Sequence, residues 1–449
     1  MAGVQTLVWL AINRLLQTTN YKLQTMRINK IQLKNFKGFD EKEFHFNPQF
    51  NVLIGDNGTG KTAILDALAV SVGSYLLGIG QAQARSIYQE DIRRKDFGDS
   101  LEPQLPVIVS SEGEIEERKI KWQRSKKNFE GRTTVKEARE LIEIAKFHTQ
   151  QVSDGKPVIL PVISYHGTGR LWKERRQTIN TRPKASRMSG YFNSLEPASS
   201  SKIFLEWFKT MEIASIQKKI DTTRIEVVKN AIINCIPDLE AVFFDVIEDT
   251  LVSVKMDADK RHTLHYDLLS DGFRNMIGMV ADIAYRCVTL NPHLNEQALA
   301  KTYGIVLIDE IDLHIHPKWQ KRVVNDLKNT FPMIQFIAST HSPFIVQSLQ
   351  SDEVLNLDKA TDSDFFRKSI EEIAEMDMGV PDVERSQRFK DMMKVAERYY
   401  QLLEEGKNSE DDTQVRQIKA ELDQLSRRYS DDPAYTAFLN MERLARLGP

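Results

Sequence analysis

The sequence predicts an α/β fold built on a buried parallel sheet, and three stretches predict it. Phe50–Ile54 is an apolar run that leads into Gly55-Asp56-Asn57-Gly58-Thr59-Gly60-Lys61-Thr62 and then into the helical pattern Ala63–Val70. This is the strand, G-x-x-x-x-G-K-[ST] loop and helix of a phosphate-binding loop. Gly304–Ile308 is a second apolar run, ending in Asp309 and Glu310, and Gln335–Ser339 is a third, which delivers His341. Short apolar runs of this kind suit strands buried on both faces. Ligands of such sheets sit beyond the carboxyl ends of the strands, where these motifs would converge.

The residue types set the chemistry. Glycines let the backbone curl so that N–H groups around Asn57, Gly58, Thr59 and Gly60 converge on anionic oxygens, and the helix that follows points its positive end there. Lys61 would reach the β- and γ-phosphates of ATP, and the Thr62 hydroxyl would coordinate Mg2+. Asp309 would hold Mg2+ through its water shell, and Glu310 would orient or deprotonate the attacking water. His341 would bond the γ-phosphate and register its loss.

Taken in order, residues 1–25 read as an N-terminal extension. Val4–Leu16 is apolar, but it is too short, and too interrupted by Asn13 and Arg14, to span a bilayer. Residues 26–130 form a first lobe. There Arg27–Leu33 alternates polar and apolar like a half-buried strand, with Phe44–Phe46 as its partner beyond a turn at Gly38, and Pro106–Val109 and Glu117–Trp122 add strands. Residues 131–240 read as a mainly helical insertion, with helices at Val135–Gln151, Phe204–Met211 and Thr223–Ile236 and a buried strand at Val158–Tyr165. The insertion carries a basic segment, Arg170–Arg187, whose cations face either solvent or the phosphates of DNA or RNA. Residues 241–358 form a second lobe, with a hairpin at Ala241–Val246 and Leu251–Val254 and an amphipathic helix at Met276–Cys287. Residues 359–449 are polar and helical by pattern, a partner or oligomerisation region or a solvated appendage.

Bulk properties narrow the function. The 449 residues can bury a large core, and a net charge of -2 gives the whole molecule no electrostatic bias toward nucleic acid or membrane. The two cysteines, Cys235 and Cys287, have no ligand-like spacing and read as reduced residues of a cytoplasmic protein.

Two further motifs bear on the site. Leu269-Ser270-Asp271-Gly272 places a serine and backbone amides at a helix start, which suits either an anion or a plain helix cap. His314 and His316 follow Glu310, and without other clustered ligands they read as structural or subunit contacts rather than a metal site.

Together with Leu33-Lys34-Asn35-Phe36-Lys37-Gly38-Phe39, these motifs stand in the chain order of ABC-type ATPases of the structural-maintenance-of-chromosomes and RecF-like class, which the chain resembles from Met26 to about Asp358. That resemblance implies an ABC/SMC-head P-loop NTPase fold. It also implies a homodimer, or a higher even oligomer, in which each ATP is held between Lys61 of one subunit and Ser270 and Gly272 of the other. Ser164–Trp172, Asp309–His314 and Phe438–Leu447 further resemble the PtuA-type ATPases of Septu and retron-linked anti-phage systems, which implies an HNH nuclease partner regulated by ATP state. The chain departs from the transporter pattern at Asp271, where glycine is usual, and both Gln83 and Gln89 remain candidates for the Q-loop glutamine. The competing readings are a RecF-like repair ATPase that binds DNA directly and a self-contained nuclease using Asp362 and Asp364; the short helical tail lacks the strands the latter needs.

Overall fold

The computed structural model describes residues 24–80, 82–170, 186–197, 201–218, 222–257, 260–358, 365, 368–380, 387–404 and 413–426. Residues 1–23 of the 1–25 extension, Arg175 and Arg176, Asp362 and Asp364, and the segment 438–447 lie outside the described residues. The chain divides into two compact units, Met1–Ile373 and Ala374–Pro449. The first unit continues past residue 358, because Phe365 is buried and the Gln347 amide donates to the Lys368 carbonyl.

The first unit is organised by a five-stranded parallel sheet of β3 (Phe50–Ile54), β8 (Val162–His166), β12 (Gly304–Ile308), β13 (Ile334–Ser339) and β14 (Val354–Asn356), in the order β14-β3-β13-β12-β8. Every residue of β3, β8, β12 and β13 is buried, as their apolar runs require. The strand expected within 131–240 is β8, the edge strand of this sheet, in register with β12 from Val162↔Gly304 to His166↔Ile308.

A second sheet is antiparallel, in the order β2-β1-β6-β7, from β1 (Met26–Phe36), β2 (Phe39–His45), β6 (Val107–Ile115) and β7 (Arg118–Lys126). Burial alternates strictly along β6, so this sheet turns one face to the core. The Gln335 side chain joins the two sheets: its oxygen accepts from Ile28 N–H at 2.9 Å and its amide donates to the carbonyls of Ile28 and Asn47. Strands β4 (Arg94–Asp96) and β5 (Leu101–Pro103) form a small ribbon, and β9 (Leu239–Asp245), β10 (Thr250–Asp257) and β11 (Lys260–His265) form a third sheet.

Helix α1 (Lys61–Leu76) packs between the two large sheets, and all of its residues except Thr62 are buried. A helix apolar on every side is a core helix. Its buried Asp66 is paired with Lys37 and Arg85 and accepts from the Tyr165 hydroxyl, while Asp91 meets the same two cations. Helix α2 (Arg139–Ser153) covers α1, and α3 (Ser201–Lys218), α4 (Thr223–Cys235) and α5 (Asp271–Leu290) pack together near the third sheet. Helix α6 (Pro317–Thr330) leads from β12 to β13 and packs on α4.

In the second unit, α7 (Gln387–Glu404) and α8 (Thr413–Ser426) pack on one another, burying Ala396, Tyr400, Val415 and Leu422. Among the described residues, no helix is long and apolar enough to cross a membrane.

Candidate functional site

The loop after β3 has Gly55, Gly58 and Gly60 at φ of 146°, 88° and 102°, the left-handed half of the map that glycine enters without strain. Gly60 is the N-cap of α1, and a Cβ there would lie 2.5 Å from the Phe39 ring, so the Leu33–Phe39 motif closes over the loop. Thr59 closes its turn through N–H and hydroxyl bonds to the Asp56 carbonyl at 3.3 and 2.9 Å. Lys61 is buried, and its ammonium donates to the carbonyls of Gly55 at 2.6 Å and Asp56 at 2.9 Å, using two of its three donors. Burial draws its pKa below the ordinary lysine value, and the carboxylates of Asp358, Asp309, Asp56 and Glu310 oppose that shift.

Because β12 and β13 pair in parallel through Ile308↔Ala338, the next residues on each strand, Asp309 and Ser339, come together at the carboxyl edge. The Thr62 hydroxyl donates to Asp309 Oδ2 at 3.0 Å, and Ser339 Oγ donates to Oδ1 at 2.6 Å. Ser339 Oγ in turn accepts from Glu310 N–H at 2.8 Å. The backbone is fixed on both flanks, by Asp309 N–H to the His166 carbonyl and Ile311 N–H to the Ser339 carbonyl. Glu310 has φ of 51°, uncommon for a residue with a side chain and a conformation that costs of order 1 kcal/mol. His341 is exposed beside this network, and Asp312 holds its loop by accepting from the Thr340 hydroxyl at 2.6 Å and His341 N–H at 3.3 Å.

The signature lies elsewhere in the fold. Helix α5 begins at Asp271 rather than Met276, so Asp271 and Gly272 form its first turn, and Ser270 is the N-cap with extended backbone. Asp and Gly are weak helix formers, and the periodic apolar face starts only after them. Ser270 is exposed and its side chain makes no capping bond, so the plain serine cap does not describe it. A Cβ on Gly272 would lie 2.3 Å from the His314 carbonyl oxygen, and Asn275 Nδ2 donates to the Leu313 carbonyl at 2.7 Å. Thus α5 rests on the loop that follows Glu310. His316 is the cap of α6, its Nδ1 accepting from Lys318 N–H.

The structure therefore brings Lys61, Thr62, Asp309 and Glu310 together, with the His341 loop adjacent. No hydrogen bond among the described residues joins Ser270, Gln83 or Gln89 to them, and both glutamines are exposed. Arg187 of the basic segment is turned inward, donating to the Leu290 carbonyl at 2.7 Å and to Val158 O, so it is not a free phosphate contact. Sequence reasoning missed Ser339 and Asp358. Ser339 carries a weak signal as the polar end of an apolar run, but its bond to Asp309 depends on strand register. Asp358, whose carboxylate accepts from Asp56 N–H at 2.7 Å, carries none.

The phosphate loop between β3 and α1, with the carboxylates after β12 at the same edge of a parallel sheet, is the arrangement of a P-loop NTPase. The AAA domain family model matches residues 30–240. Over 379 residues, the chain is 27% identical to the Retron Vc95 probable ATPase of Vibrio cholerae serotype O1 biovar El Tor, covering 73% of each chain. It is likewise 27% identical over 333 residues to the Septu protein PtuA of Bacillus mycoides strain KBAB4, covering 73% of this chain and 40% of that protein. Among solved structures, the SMC head domain from Thermotoga maritima aligns with a TM-score of 0.42 at 15% identity, over 76% of this chain and 97% of that one.

Proposed function

We propose that this chain binds and hydrolyses ATP as the dimeric switch subunit of a bacterial anti-phage defence complex, in which its nucleotide state regulates an HNH nuclease on another chain. The observation that carries the enzymatic part is the network Thr62–Asp309–Ser339–Glu310 beside Lys61 at the carboxyl edge of the parallel sheet. The similarity to a retron ATPase and to Septu PtuA supports the defence setting.

The donor set fits Mg2+: Thr62 Oγ1 and Asp309 Oδ2 are hard oxygens 3.0 Å apart, and they would hold the ion directly and through water. When bound, Mg2+ would neutralise charge on the β- and γ-phosphates. The protein's own groups do the rest. Loop amides and Lys61 orient the phosphates. Ser339 fixes Asp309 and the Glu310 backbone together. The Glu310 carboxylate accepts a proton from the water as the water oxygen bonds the γ-phosphorus and the bond from that phosphorus to the bridging oxygen breaks, releasing ADP. His341 donates to a γ-phosphate oxygen. Ser270 and Gly272 of a second copy complete the site.

Glu310→Gln keeps the shape of the side chain but removes the base. ATP turnover is expected to fall at least about a hundredfold, with the ATP-bound protein accumulating as a dimer in light scattering; unchanged turnover would overturn the role of Glu310. Co-purification with an HNH protein encoded beside this chain tests the partner, and its absence removes that half of the reading.

A further inference from the structure

Strand β14 runs beside β3 in parallel register, Val354↔Val52 to Asn356↔Ile54, so the two strands leave the sheet together. Leu357 N–H still bonds the Ile54 carbonyl at 3.0 Å, and Asp358 N–H bonds Asn356 Oδ1 at 2.9 Å, which fixes the backbone that carries the Asp358 side chain. Its Oδ2 accepts from Asp56 N–H at 2.7 Å. The same residue, Asp56, is held at its carbonyl by Lys61 Nζ and by the Thr59 hydroxyl, both at 2.9 Å. One peptide of the phosphate loop, Gly55–Asp56, is therefore gripped at its N–H by Asp358 and at its carbonyl by Lys61, whose Nζ bonds the Gly55 oxygen at 2.6 Å.

The loop is shaped to admit this carboxylate. A Cβ on Gly55 would stand 3.0 Å from Asp358 Oδ2, besides 2.9 Å from Thr59 Oγ1. The placement also needs a reason, since a carboxylate beside a polyphosphate site repels the ligand. A bond from a backbone N–H to a charged acceptor is stronger than one to a neutral acceptor, and it fixes a loop whose own turn bonds are few. Asp358 is also the foremost of the carboxylates that favour the ammonium form of buried Lys61.

We infer that Asp358 is a positioning residue of the phosphate loop, holding the Asp56 peptide so that Lys61 and the loop amides are set for the phosphates before these arrive. The inference rests on the ATP-binding reading above and adds to it a residue from the end of β14. Preorganisation of this kind acts on nucleotide affinity more than on the chemical step.

The test compares Asp358→Ala, which removes the acceptor, with Asp358→Asn, which keeps an oxygen acceptor without the charge, in the full chain with Mg-ATP as probe. Expected for Asp358→Ala are an ATP Kd and KM raised about tenfold, a kcat within about twofold of the parent, and faster amide exchange in peptides spanning 50–60 without nucleotide. Asp358→Asn is expected to return Kd to within about threefold of the parent and to restore exchange protection. An alanine variant that matches the parent in both Kd and exchange overturns the inference, as does an asparagine variant no better than alanine. If Asp358→Ala does not fold, Asp358→Leu, of similar bulk but without an acceptor, repeats the comparison with the same criteria. If the parent itself does not bind Mg-ATP, the functional reading fails, while the exchange data still decide whether Asp358 holds the loop.

Discussion

The phosphate-loop edge and the signature corner both end a buried element with polar residues, yet they are built in opposite ways. At the edge, Lys61, Thr62, Asp309 and Ser339 are all bonded within the chain, and three of them, Lys61, Asp309 and Ser339, are buried. At the corner, Gly272 and Asn275 are fixed from behind against the carbonyls of His314 and Leu313, while Ser270 is exposed without a capping bond and Leu268 is 73% exposed. The bonds of the first arrangement are made within one chain. The second fixes a helix start from behind and leaves Ser270 exposed. On the proposed function, that exposed start meets the ATP held by the loop of another copy.

Disabling the two regions one at a time separates their roles. Lys61→Ala is expected to abolish ATP binding, whereas Ser270→Arg should abolish turnover with ATP affinity kept within about threefold, as for an interaction made outside the loop. Mixing the two variants should restore turnover, because a mixed dimer has one site with both Lys61 and Ser270 intact. Failure of the mixture to recover any activity would place Ser270 in its own chain's site or in none.

A smaller effect is expected at the anchor behind the signature. Gly272→Ala forces the helix start away from the His314 carbonyl, an overpacking change that should cost about 1–3 kcal/mol in denaturant unfolding and impair turnover alongside. A neutral result would show that α5 and the loop after Glu310 are not rigidly joined.

The smallest effect is a control remote from both regions. His148, buried on α2, bonds the Glu116 carboxylate at 2.9 Å and holds its pKa below the ordinary value of 4.5. A carboxyl depressed on folding contributes stability above its unfolded pKa and loses it as pH falls through the folded one. The stability gap between parent and Glu116→Gln in thermal melts should therefore be full at pH well above 4.5 and close as pH falls below it, with ATP affinity unmoved. A gap independent of pH would remove the ionic contribution.

Much of the fold was legible because its signals are local. The runs Phe50–Ile54, Gly304–Ile308 and Gln335–Ser339 are core strands, and Gly38 does sit in the turn that pairs β1 with β2. The loop between β3 and α1 was legible down to single residues, since G-x-x-x-x-G-K-[ST] encodes its own backbone shape. Local pattern was less informative where tertiary contacts take over. Helix α5 starts ahead of its apolar face because its first turn is held by the His314 loop, and β11 adds to a hairpin that the sequence marked with two strands only.

Local residue types set the chemical groups the chain offers: a lysine and a threonine on a glycine-bent loop, two carboxylates after a buried strand, and a serine before a helix. Which of their atoms meet depends on how the strands pair. Ser339 reaches Asp309, and Asp358 reaches Asp56, because β12 pairs with β13 and β14 with β3 in particular parallel registers. Such registers join segments far apart in the chain, and a slip of one residue reverses every side chain, so no short pattern can specify them.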